Sequence, residues 1–298
     1  MSGPIFSERL AVASLLRGYQ IAPNIMRRVR PRLVKATWNR APAWRHAIAS
    51  NAQVIFGASL SEPRLEAFGL AVLENMQRSL DDLVAATRST EGELRDRLEG
   101  CEGREAYLER RRSGGGAVLI SMHMGDFESA AAYIAKHDAP IHVLYARDRI
   151  SLLERLRAKA RARIGVNAHA VNDGLSTWGA LNEALERNEV VAMQGDRVQP
   201  GQRGTKVCVL GQPTFLPIGP FKLAFSAGAA LIPVFNWREA SGRYSVRIGA
   251  PIPCESDIIS DPASSTALRM WADQLGAAIT SHPEQWLNVH AVWEPQRG

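Results

Sequence analysis

A chain of 298 residues is long enough to bury a sizeable core as one compact unit, and 46% apolar against 22% charged residues excludes a largely disordered protein. The net charge of +6 is unevenly placed: no Asp or Glu lies between Arg9 and Ser61, where Arg9, Arg17, Arg27, Arg28, Arg30, Arg32, Lys35, Arg40 and Arg45 fall. Such a block is drawn to a polyanion, and the interleaved Leu10, Val12, Leu15, Leu16, Tyr19, Ile21, Ile25 and Met26 favour an anionic lipid surface over nucleic acid.

The same block also suits a helical layer whose basic face is simply solvated. Pro31 and Pro42 are expected to cut it into short helices. Leu10 to Leu16 is too short to span a bilayer, so the chain is expected to touch membranes without crossing them. Leu65, Phe68, Val72, Met76, Leu80 and Leu83 recur at helical spacing, which predicts one amphipathic helix over 61–86 with Ser61 as its N-cap. Charged helices are predicted over 95–112, up to the glycine run Gly114 to Gly116. From there short apolar strands alternate with helices. Strands are predicted at 117–122, 141–145, 190–193, 231–237 and 244–248, with helices at 129–136, 152–163, 175–187 and 266–281. The fold class is α/β, a mixed central sheet flanked by helices, with a helical basic region at 1–113 and the α/β core at 114–298. Cys101, Cys208 and Cys254 have no paired spacing, which argues against a disulfide framework or zinc cluster.

The segment His123-Met-Gly125-Asp126-Phe-Glu128 sets a histidine and two carboxylates where a strand ends and a helix begins, the place where open α/β sheets hold ligands. A histidine oriented by a carboxylate is the base needed when a hydroxyl or amine attacks a thioester. A lone histidine at a helix start, with Asp126 as a first-turn carboxylate, is the plain structural alternative. In α-helical form Leu156 to Arg163 spreads its basic side chains round the cylinder, as a solvated helix or as a contact for an acyl carrier protein or anionic lipid. His137, His142 and His169 stand isolated, against a metal-dependent hydrolase built on His123, Asp126 and Glu128.

His123-x4-Glu128 resembles the H-x4-D/E motif of the bacterial lipid A biosynthesis (lauroyl/myristoyl) acyltransferases, within the lysophospholipid and glycerol-phosphate acyltransferase superfamily. Further segments are similar in the same order: Arg45 to Asn51, Leu144 to Arg149, Met193 to Arg197, Val209 to Gly211 with Phe215 to Phe221, and His282 to His290. The resemblance implies a glycerol-phosphate acyltransferase-like fold, His123 as general base and Glu128 as its orienting partner. It places Asp196 and Arg197 in the same pocket, Arg147 or Arg149 on acceptor or donor phosphates, and Gly125, Gly195 and Gly219 at the substrate. The family more often has asparagine-tryptophan where Asp126-Phe127 stands, and an aspartate-glutamine pair at Gly195-Asp196-Arg197.

The implied reaction moves a fatty acyl group from acyl-ACP or acyl-CoA to a lipid or glycolipid acceptor, without cofactor, metal or nucleic acid. The expected location is the cytoplasmic face of the inner membrane, peripherally bound. An alternative acceptor is a specialised metabolite, such as a polyene-type or carrier-bound lipid.

Overall fold

The computed structural model describes residues 6–138, 140–199, 202 and 204–293. Its N-terminal layer comprises α1 (Phe6–Ile21), α2 (Pro23–Arg40), α3 (Pro42–Ile55) and α4 (Glu62–Ala86). Helix α4 starts at Ser61 as expected, although the Ser61 side chain makes no capping bond. Pro42 begins α3, but α2 runs through Pro31 without a break. Pro31 lies on the exposed face, where the carbonyl it leaves unpaired meets water, so the helix tolerates it. Val34, Trp38, Ile48, Val72 and Leu73 form a core of these helices' own. Gly69 lets α4 approach α2 closely, because a Cβ there would overlap the Trp38 ring.

There follow α5 (Glu91–Asp96), β1 (Leu98–Glu102), α6 (Arg104–Arg112), β2 (Ala117–Ser121), α7 (Phe127–His137), β3 (Ile141–Tyr145), α8 (Ser151–Arg163), β4 (Asn167–Ala170), α9 (Leu175–Glu186) and β5 (Val190–Gln194). The chain continues with the hairpin β6 (Gly204–Val209) and β7 (Gln212–Pro217), then α10 (Gly219–Ser226), β8 (Ala230–Arg238), β9 (Tyr244–Ile248), α11 (Asp257–Ser260) and α12 (Thr266–Ser281). Seven strands form one sheet in the order β1-β9-β8-β2-β5-β3-β4, parallel except for the β8–β9 pair.

Strand β1 interrupts the region expected to be helical, so the sheet draws an edge strand from residues before 114. Its sequence, Leu-Glu-Gly-Cys-Glu, has a single fully buried residue and therefore no apolar run. Strand β2 is buried from Ala117 to Ile120, and its side chains alternate between two cores. Val118 and Ile120 face α9, α10 and α12, while Ala117 and Leu119 face residues of α1, α4, α7 and α8. Among the described residues no helix is long and apolar enough to cross a membrane.

Candidate active site

Parallel pairing of β2 with β5 matches Ser121 to Gln194, and Gly195 N–H donates to Ser121 O at 2.7 Å. The loops leaving both strands therefore start side by side. Two residues past each match come His123 and Asp196. The Asp196 carboxylate accepts from the His123 backbone N–H at 3.2 Å through Oδ2 and meets the ring Nδ1 at 2.7 Å through Oδ1. With Asp196 ionised, Nδ1 carries the hydrogen and Nε2 keeps a free lone pair.

Asp196 is fully buried, and burial resists its charge. His123, Arg197 and the Trp286 Nε1–H at 3.0 Å outweigh that resistance and hold the carboxyl well below its usual range. Burial, with Arg197, pushes the proton affinity of His123 down against the pull of Asp196, so the imidazole is neutral at pH 7. Its side chain keeps 21% exposure, enough for a substrate to reach it.

Glu128 does not hold the imidazole. No hydrogen bond joins it to His123 among the described residues; Asp196 has taken Nδ1, and Glu128 lies in the first turn of α7 beyond the bend at Gly125. Burial and the neighbouring charge of Asp126 raise the Glu128 carboxyl to about 7. Gly125 has φ of +71°, and a Cβ there would overlap Asn236 of β8, so the bend requires glycine. Asp126 caps α7, accepting from Ser129 N–H at 3.2 Å and Ser129 Oγ at 2.6 Å.

Arg197 stands 4.0 Å from Asp196 and donates to Leu287 O at 3.0 Å. Gly195 gives its carbonyl to Trp271 Nε1–H at 2.9 Å. Gly219 packs against Trp178 at the start of α10. Arg147 and Arg149 are exposed; Arg147 forms a bidentate pair with Asp173 at 2.7 and 3.0 Å, and no contact joins either arginine to His123.

Besides Arg197, the charge of Arg157, from the basic run of α8, is felt at the site. Its charge bears on His123, Glu128 and Arg197, and it pairs with Asp148 at 2.9 Å. The stretch His282 to His290 lies against the His123 segment: Met124 bridges Trp286, and Leu287 N–H donates to His123 O at 2.9 Å. A cavity of about 300 Å³ borders Asp196 and Arg197, with Val198, Phe215, Asn288 and Trp293 among its walls.

His142 and His169, isolated in sequence, stack at 5.1 Å between neighbouring strands. His142 Nε2 lies 2.8 Å from Glu189. Among the described residues no group of three or more His, Cys, Asp or Glu is placed to hold a metal ion.

The model of the family described as bacterial lipid A biosynthesis acyltransferase matches residues 10–294. Curated relatives include phosphatidylinositol mannoside acyltransferases of Mycobacterium tuberculosis and Mycolicibacterium smegmatis. Each is 28% identical over 182 residues, which is 61% of this chain and 55% and 58% of those proteins, respectively. The matched segment thus spans little more than half the length of these relatives. With a match over nearly its whole length, the chain belongs to the bacterial lipid A biosynthesis acyltransferase family.

Proposed function

We propose that this protein transfers a fatty acyl group from an acyl-ACP or acyl-CoA thioester to a hydroxyl group of a lipid or glycolipid, with His123 as general base. The observation that carries it is the His123–Asp196 pair at 2.7 Å, which leaves Nε2 free in a half-buried pocket. Nε2 takes the proton of the acceptor hydroxyl as its oxygen attacks the thioester carbonyl. The tetrahedral intermediate then collapses, the carbon–sulfur bond breaks, and the departing thiolate takes the proton back from the imidazolium. Asp196 stabilises that imidazolium and fixes its tautomer.

Arg197 and Arg157 supply positive charge beside the reacting centre, suited to a carbonyl oxygen becoming an oxyanion or to a substrate phosphate. The cavity beside Asp196, walled in part by Val198, Phe215 and Trp293, accommodates part of an acyl chain. A glycolipid acceptor is supported by the phosphatidylinositol mannoside acyltransferases among the relatives. The exposed arginines of α1 and α2 support peripheral binding at an anionic membrane surface, on the cytoplasmic face where acyl thioesters are available.

The test incubates wild type and His123→Ala with acyl-CoA, acyl-ACP and a lipid extract, and reads acylated products by mass spectrometry. Wild type is expected to form one acylated lipid class, and His123→Ala to lose about 10²–10⁴-fold in rate with an unchanged melting temperature. A His123→Ala protein as active as wild type would remove the general base from the scheme.

A further inference from the structure

The bend that carries His123 and Glu128 is tied to the rest of the molecule by a row of charges, of which Asp126 is buried and the others half-buried. Arg97, between α5 and β1, places its guanidinium between two carboxylates. It pairs with Asp126, the N-cap of α7, at 2.9 Å through Nη1, and with Asp82 of α4 through Nη2. The contact with Asp126 is an ion pair by distance, with Nη1 not aligned as a hydrogen-bond donor. Asp82 also receives Arg238 from the end of β8 and the Tyr244 hydroxyl of β9. Two acids and two guanidinium groups alternate, so the row is neutral as a whole.

Capping α7 does not require a charge at residue 126, since asparagine or serine caps equally well. A carboxylate only 3% exposed is costly unless a cation accompanies it. Arg97 is that cation, and it reaches Asp126 from a segment held on the other side to α4. Resting on the assignment of His123 as the acyl-transfer base, we infer that Arg97 is a positioning residue: through Asp126 and Asp82 it locks the His123–Glu128 bend to α4 and β8.

The experiment compares wild type, Arg97→Gln, Arg97→Lys, Asp126→Asn and the double variant Arg97→Gln/Asp126→Asn in the full chain, measuring kcat, thioester KM, the pH–rate profile and melting temperature. Arg97→Gln is expected to lower kcat about ten- to hundredfold at nearly constant KM. The double variant removes one charge of each sign and leaves the Asp82–Arg238 pair intact, so it should recover most of the melting temperature while kcat stays low, because the tie between the bend and α4 is still absent. Arg97→Lys keeps the charge without the planar fork and should fall between; it and the double variant carry the comparison should Arg97→Gln fail to fold.

A lowered melting temperature with kcat as in wild type overturns the proposal, as does a double variant that regains wild-type kcat. If wild type transfers no acyl group from any thioester, the assignment of His123 falls and the proposal with it; an active wild type with unaltered Arg97 variants overturns the proposal alone.

Discussion

At His123 the two ring nitrogens face different surroundings, and each carboxylate nearby acts on a different part of the site. Asp196→Asn keeps the shape but offers Nδ1 an amide in place of an anion. It should cut kcat by on the order of 10³–10⁴ in the transfer assay while KM changes little, the loss expected when the wrong tautomer is held. Glu128 gives a prediction about stability. Its carboxyl is raised from 4.5 to about 7 by burial and Asp126, so the folded chain holds a proton that the unfolded chain releases. The resulting stability is complete below pH 4.5 and is lost as pH rises through 7. Thermal melts of Glu128→Gln should therefore exceed wild type by several degrees at pH 8 and match it at pH 4. Loss of activity in that more stable variant would assign a working role to the ionised carboxylate; equal melts at both pH values would contradict the buried, raised group. The strand-to-helix junction that carries His123 and Glu128 was legible in the sequence, but the partner on Nδ1 was not. Asp196 reaches His123 only because β5 pairs with β2, and strand order is not written into either segment.

Among the helices, the basic block divides into two kinds of arginine. Arg27 and Arg30 both bind Asp81 of α4, at 2.8 and 2.7 Å, and Arg30 also donates to the Tyr19 hydroxyl at 3.0 Å. Leu16 and Tyr19 are likewise buried, whereas Leu10, Ile21 and Ile25 are exposed with Arg9, Arg17, Arg28 and Arg32. Replacing these last four arginines by glutamine should weaken binding to anionic vesicles by about 1 kcal/mol per charge and leave the fold intact; unchanged sedimentation with vesicles would assign the block to solvation alone. Replacing Arg30 should instead lower the melting temperature, because Asp81 loses a buried partner. The helical period distinguishes the faces of α2, but the inner one is identified only by an acid 51 residues further on. Gly69 sets a similar test: Gly69→Ala improves helix propensity yet should destabilise by about 1–3 kcal/mol, because its methyl meets the Trp38 ring. A more stable Gly69→Ala protein would show that α2 and α4 are not in close contact there.

Across the whole molecule, the strands that were legible, β2, β3, β5, β8 and β9, are the apolar ones of the sheet. Those that were not are β1 and β4, at its two edges, and the polar hairpin β6–β7. Edge strands and hairpins need no continuous apolar run, so the sequence signal for them is weak. Trp286 reads as a core residue and is one by burial, but its indole N–H also holds Asp196. Trp286→Phe keeps the ring and removes that donor, so it should lower kcat more than stability; an unchanged kcat would make the bond incidental. This closure by Trp286 and Leu287 also fixes when the site can exist during biosynthesis. At about 5–20 residues per second, His123 leaves the ribosome roughly ten to thirty seconds before the residues that complete its surroundings. A nascent chain in that interval carries the histidine without its finished surroundings, so the pocket exists only once the segment through Leu287 has folded back onto β2.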